Sequence, residues 1–524
     1  MDATATTIIW VVAFVLLTVA VTGLSGRVNW SAPVVLVVVG AGVSFIPAVP
    51  SVTVDPDLIL YGVLPPLLFA AAIQTSFRDV RARNDSILAL SVGLVIFTVA
   101  FVGITTWLLI PTLSLAVAFA FGAVVAPTDA VAVTSVLGRL RLPRRLVTIL
   151  DGESLLNDAT ALVALNTSIA AIVALVNPWM VVGDFALTVL VGLAVGLLVG
   201  WVLSLIRGQL HAPVLDTSLS LITPYLAFIV ATLLHGSGVL AVVVAGLFLG
   251  YRSPSVQSAE ARIAERINWR TIEYLLENAV FLFIGLNLRS IVVASRLPSI
   301  GLWPVVAICA GVLAALIVSR FIWVCSLTLL YRRGPRFLRA RSWNWRNAVA
   351  ISSAGIRGVV TLVAVFLLPP FPERAFLQFL AFVVVFVTLL EGLLLPMIIR
   401  ALKLPAPNLE QEDLERRNLS AEAEAAGLLE LEATATDDDP PAVVDRLRSN
   451  AAFQQETLAG DPPADGSEHP MHTYARLRAA MIGAQRRAVL QARKEGRYQD
   501  AAVLAVLATI DAEETALRTK KPQN

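Results

Sequence analysis

The feature that most limits what this chain can fold into is a recurrence. Through residues 1–400, apolar stretches follow one another with only short polar joints between them. Crossing a bilayer takes about 20 apolar helical residues, and only helices or closed barrels satisfy their backbone there. Stretches of this length exclude transmembrane strands and predict an all-α, polytopic membrane protein. Composition agrees, at 57% hydrophobic and 15% charged residues, where a soluble domain carries about 25% charged. Residues 401–524 are different: polar and charged, with the run Asp437–Asp438–Asp439–Pro440–Pro441. The chain therefore divides into a membrane body, 1–400, and a C-terminal tail, 401–524.

Read this way, the body holds thirteen candidate spans: 7–24, 32–48, 57–75, 86–110, 113–137, 150–176, 180–206, 217–234, 237–250, 271–288, 301–331, 347–368 and 375–400. Spans eight and nine are parted only by His235-Gly236-Ser237-Gly238, and fusing them would put the tail on the other side. Loop charge supports the split. Nineteen arginines follow odd-numbered spans, Arg207 among them, and three follow even-numbered ones. Cytoplasmic loops collect Lys and Arg, so the N-terminus is expected outside the plasma membrane and the tail in the cytoplasm. Asp2 stands where a cleaved signal would be basic, so the first span is read as retained. A net charge of +2 gives no reason to expect a nucleic-acid partner, and Cys309 and Cys325 read as apolar helix residues.

Ionisable side chains inside spans are costly and face a pathway or a partner. Span five carries Asp129 within Ala126-Pro127-Thr128-Asp129, where proline should break the helix. Broken spans free backbone groups that can hold an ion. Span six opens Asp151-Gly152-Glu153-Ser154-Leu155-Leu156-Asn157-Asp158. Four-residue spacing puts Glu153 and Asn157 on one stripe, Ser154 and Asp158 on the next. Asp151 reads as a helix cap. Asp158, Ser154 and Asp129 together offer hard oxygens for a small cation. Burial lets a proton compete for Asp158, and that competition is the simplest form of exchange. Arg320 and Arg357 are buried cations that need partners, with Glu153 the candidate for Arg320 and a half-helix C-terminus for Arg357. Broken span five pairs with glycine-interrupted span twelve if the halves are inverted repeats. Glu391, in span thirteen, fits either a functional or a packing role.

These motifs resemble those of the monovalent cation/proton antiporters that include the sodium/proton exchangers. The likeness runs through Leu64-Pro65-Pro66-Leu67-Leu68-Phe69, Pro127 to Val133, Gly152 to Asp158, Phe283-Ile284-Gly285-Leu286 and Gly355-Ile356-Arg357-Gly358. It implies a homodimer in which a six-helix bundle moves against a dimerisation domain, with spans five and twelve crossing as unwound helices. It implies that Asp158 carries Na⁺ or H⁺, with Asn157, Ser154, Asp129 and the Thr128 carbonyl around it. It also implies a Glu153–Arg320 ion pair and, from Asn157 before Asp158, one-for-one exchange without any cofactor. Two departures stand out: Ala70 where some members carry Glu, and Ala130 where Pro is common. The first leaves the choice among Na⁺, Li⁺ and K⁺ open, and Gln74 could supply an oxygen instead.

The tail should form helices near 472–493 and 498–518 after a linker at 434–467, either regulatory or a hairpin aiding dimerisation. His469 and His472 could titrate near neutrality. Two rivals remain for the body: a channel, and a membrane-embedded aspartyl protease using Asp129 and Asp158.

Overall fold

Wherever the apolar runs lack proline and glycine interruptions, they are continuous helices in the computed structural model of the chain. It describes residues 3–28, 32–46, 58–129, 133, 142–173, 178–210, 212–295, 301–335, 343–404, 409–436, 439–459, 470–495 and 500–519. The body contains α1 (Ala3–Val28), α2 (Ala32–Ser44), α3 (Leu64–Gln74), α4 (Phe77–Ala82), α5 (Asn84–Leu109), α6 (Leu115–Val125), α7 (Arg144–Val173), α8 (Pro178–Arg207), α9 (Pro213–Leu233), α10 (Gly238–Val256), α11 (Ala259–Ala294), α12 (Leu302–Arg333), α13 (Trp345–Ser353), α14 (Val359–Ala364) and α15 (Arg374–Leu402). No strand occurs among the described residues. Eight of these helices are long and apolar enough to cross a bilayer, and several shorter apolar ones accompany them. Length alone does not establish a count of thirteen.

Spans eight and nine are separate helices, α9 and α10. His235, with φ 57°, turns the chain between them in the left-handed region. Span ten begins earlier than its apolar run does, because α11 extends back through a charged segment to Ala259. The outer face of α8 carries Leu187, Leu190, Leu197, Trp201 and Leu205, all exposed. Such a face suits lipid rather than water.

Two sets of helices pack within the body. One comprises α5, α6 and α7 with α12; the other comprises α2, α3 and α8 to α11; α15 packs against both. Gly40 and Gly285 let α2 and α11 approach to backbone contact, since a Cβ on either would strike the other helix's main chain. The start of α5 winds into a π-turn at Ala89–Leu94, and the Ala89 carbonyl accepts the Trp323 indole N–H at 2.9 Å.

Residues 408–524 form a second compact unit. They hold α16 (Leu409–Thr434), α17 (Pro441–Ala459), α18 (Pro470–Lys494) and α19 (Asp500–Thr519). The last two lie within two residues of the predicted pair. By contrast, α17 occupies the stretch read as linker, because Ala-rich sequence flanked by proline starts a helix as readily as it ends one. Ile482, Ala492, Val503 and Ile510 are buried in this unit, and Arg486 pairs with Asp511 at 2.5 Å and Glu514 at 2.6 Å. Asp439 accepts from the Thr436 N–H and hydroxyl, which holds its carboxyl below the usual carboxylate range. Ala130 and His469 lie outside the described residues, as does the His472 side chain.

Candidate cation site

Proline at 127 ends α6 at Val125, and residues 126–129 run on outside any helix. Glycines at 355 and 358 do the same between α13 and α14. The two interruptions meet: the Asp129 N–H donates to the Ile356 carbonyl at 2.9 Å. The Val359 N–H, at the start of α14, donates to Asp129 Oδ2 at 3.4 Å. Gly358 lies so close that any Cβ there would collide with the Asp129 carboxylate. Arg357 is fully buried and donates to the Ala126 carbonyl, one residue past the C-terminus of α6. Its charge thus faces the negative end of that helix.

Across from the crossing, α7 presents two faces. Glu153 and Asn157 point into a closed network. Arg320 forks onto Glu153 with contacts of 2.5 and 3.0 Å, and it also donates to the Ile351 carbonyl at 3.0 and 2.9 Å. The Thr128 hydroxyl donates to Glu153 at 3.2 Å and accepts from the Asn157 amide at 2.6 Å. This relay fixes the orientation of the Asn157 amide. Glu153, Asn157 and Arg320 are all within 2% of complete burial.

The neighbouring stripe of α7 faces a cavity of about 430 Å³. Thr148, Asp151, Ser154 and Asp158 line it at three- and four-residue spacing. The Ser154 hydroxyl donates to the Thr128 carbonyl at 2.5 Å, so the broken segment is tied to the cavity wall. Asp151 is no helix cap. It lies seven residues inside α7, which starts at Arg144 because the basic residues before the apolar run are already helical.

The opposite wall comes from α3 and α11. Here the sequence reading missed Glu273 and Glu277, four residues apart on α11 and both lining the cavity. The signal was present, since two carboxylates sit just before the apolar run Val280–Leu286. Gln74 donates to Glu273 at 2.9 Å and to the Ala70 carbonyl at 2.9 Å, so its one amide nitrogen, Nε2, holds the wall together. Glu277 is 9% exposed, and its Oε1 has no hydrogen-bond partner. Among the described residues, six carboxylates and no Lys or Arg line the cavity: Asp79, Asp129, Asp151, Asp158, Glu273 and Glu277. One-signed clefts with low-dielectric walls concentrate counter-ions, here cations. Glu391 is half-buried on α15, within electrostatic reach of Arg357 and Arg320.

Comparison with known proteins gives a consistent picture. Residues 12–401 match the family described as sodium/hydrogen exchanger, transmembrane. An uncharacterised Na(+)/H(+) exchanger of Mycobacterium tuberculosis is 33% identical over 97% of this chain and 95% of its own length. The uncharacterised Na(+)/H(+) exchanger YjcE of Escherichia coli is 32% identical over 71% of this chain and 72% of its own. The solved sodium proton antiporter MjNhaP1 of Methanocaldococcus jannaschii shares the fold, with a TM-score of 0.62 at 17% identity. That match covers 76% of this chain and 99% of MjNhaP1.

Proposed function

Because this chain belongs to the sodium/hydrogen exchanger family, a family of transporters rather than enzymes, we propose that it exchanges one Na⁺, or Li⁺ or K⁺ in its place, for one H⁺ at Asp158. The observation that carries this reading is a buried carboxylate lining an acid-lined cavity, beside two crossing broken helices.

The residues divide the work by face. Asp158, Asp129 and the Ser154 oxygen supply hard oxygen ligands to the cation, together with the carbonyl of Thr128. Asn157 orients Thr128, and Glu153 with Arg320 holds this part of α7 in place without touching the ion. Arg357 offsets the negative end of α6. A proton on Asp158 removes the charge that holds the cation, so loading one releases the other. Asn157, where a second acid would let an extra charge move, keeps the exchange electroneutral. Glu273 and Glu277 draw cations along the wall that α11 forms, while Ala70 of α3 adds no carboxylate there.

Among the lining residues, Ser76 is exposed and Asp79, Thr148 and Asp151 are partly exposed where Asp158 is buried, and Arg78, Arg81 and Arg83 stand beside the first two in sequence. By the charge rule that side is cytoplasmic, so this conformation is open inward, with the tail in the cytoplasm and the N-terminus outside. Alternating access follows if the bundle of α5 to α7 with α12 slides against the other in a plasma-membrane homodimer.

Proteoliposomes test this. An outward Na⁺ gradient should drive protons inward, and Asp158→Asn should abolish the coupled flux while the protein still assembles. Coupled exchange surviving in Asp158→Asn overturns the assignment. Sodium flux without proton movement in the unaltered protein would point to a channel.

A further inference from the structure

Away from the cavity, α8, α9 and α11 hold a second buried charged cluster. Arg207, in the last turn of α8, forks onto Asp216 in the first turn of α9, with both contacts at 2.8 Å. The same guanidinium reaches Glu265 of α11 at 2.7 Å. The Ser220 hydroxyl donates to Glu265 at 2.5 Å and accepts the Trp269 indole N–H at 2.9 Å. Gln257, just past α10, donates to Asp216 at 2.6 Å and to Glu265 at 3.1 Å. Arg207 is therefore not the loop charge its position after an apolar run suggested. It is 2% exposed and joins three helices. None of Arg207, Asp216, Ser220, Glu265 or Trp269 lines the cavity.

Such a cluster is a poor way to gain stability. Desolvating the charges cancels most of their attraction, and well-packed apolar replacements are often as stable. What it supplies is geometry, because a forked guanidinium is satisfied in one arrangement only. The geometry it fixes is that of α11. Glu265, Trp269, Glu273 and Glu277 recur every fourth residue, each about one turn from the next, on a face that winds by about 40° per step. Turning α11 by one residue would rotate this face by about 100° and shift it by about 1.5 Å. Trp269 continues the link. Its ring packs on Phe69 of α3 at 4.9 Å between centroids, and Leu68 beside Phe69 lines the cavity.

We propose that Arg207, Asp216 and Glu265 are positioning residues for cation uptake: they lock the rotation and height of α11 so that Glu273 and Glu277 face the pathway. This rests on the exchange reading given above, which Asp158→Asn tests separately in the same vesicles.

The test uses the full-length protein in proteoliposomes, with the apparent KM for Na⁺ and Vmax measured for Glu265→Gln and for Arg207→Met/Asp216→Leu/Glu265→Leu. The single variant keeps the side-chain shape, so the answer does not depend on the triple variant assembling. In Glu265→Gln, KM should rise by roughly tenfold while Vmax stays within about twofold. Glu277→Gln alone should raise KM similarly, and the double variant should raise KM by clearly less than the product of the two effects, since Glu265 acts in part through Glu277. A purely structural role would lower the amount of assembled protein or Vmax and leave KM alone. The proposal is overturned by an unchanged KM in Glu265→Gln, by an unchanged KM in Glu277→Gln, or by effects that multiply fully in the double variant.

Discussion

Four residues apart on α7, Glu153 and Asn157 do a different job from Ser154 and Asp158, one position further along each. The first pair is sealed in hydrogen bonds to Thr128 and Arg320; the second pair looks into the cavity. Removing one partner of a buried ion pair strands the other charge, at a cost of about 3–5 kcal/mol. Glu153→Gln should therefore lower the thermal unfolding temperature of the purified protein markedly. Replacing both partners, as Glu153→Met with Arg320→Leu, should recover much of the loss. If Glu153→Gln unfolds at the unaltered temperature, the pair has no structural role. The division between faces was legible beforehand, because helical spacing alone separates the stripes. The assignment of Asp151 was not, since hydropathy places the start of a helix where apolar residues begin, and α7 starts in basic ones.

At the scale of elements, the site exists because two helices stop where they meet. Pro127 and the glycines at 355 and 358 announced both interruptions, and their meeting is a backbone contact that no local pattern encodes. Gly358 is the tightest point, with no room for a Cβ beside the Asp129 carboxylate. Gly358→Ala must push Asp129 or α14 aside. Transport should fall at least about a hundredfold, the loss expected from displacing positioned groups by about 1 Å, while assembled protein can still be purified. Normal exchange in Gly358→Ala would show that the crossing tolerates displacement. Gly355→Ala acts at a different point: its new methyl would press on the Arg320 side chain rather than on Asp129. The carboxylates of α11 escaped the sequence reading for a related reason. Opposed walls are set by packing between helices far apart in the chain, and Glu273 and Glu277 took on meaning only once α7 stood across from them.

For the whole molecule, the arithmetic of one carboxylate shared between two ions decides the behaviour. If H⁺ and Na⁺ exclude one another at Asp158, acidification should raise the apparent KM for Na⁺. The rise should approach on the order of tenfold per pH unit where the carboxyl is mostly protonated, while the rate at saturating Na⁺ holds. A KM that stays flat as the rate falls would mean that protons act somewhere other than the cation site. Charge balance adds a sharper demand. A transporter that moved one net charge per cycle would have its equilibrium biased by about 2.3 kcal/mol for each 100 mV across the membrane, close to a fiftyfold shift in the ion ratio it can sustain. Exchange of one Na⁺ for one H⁺ moves no net charge. The Na⁺ gradient that just halts proton flux should then be the same whether the vesicle potential is clamped at zero or at about 100 mV by a potassium ionophore. A halting gradient that moves with the clamp would mean that more than one proton crosses per cation, and Asp129 would become the natural second carrier.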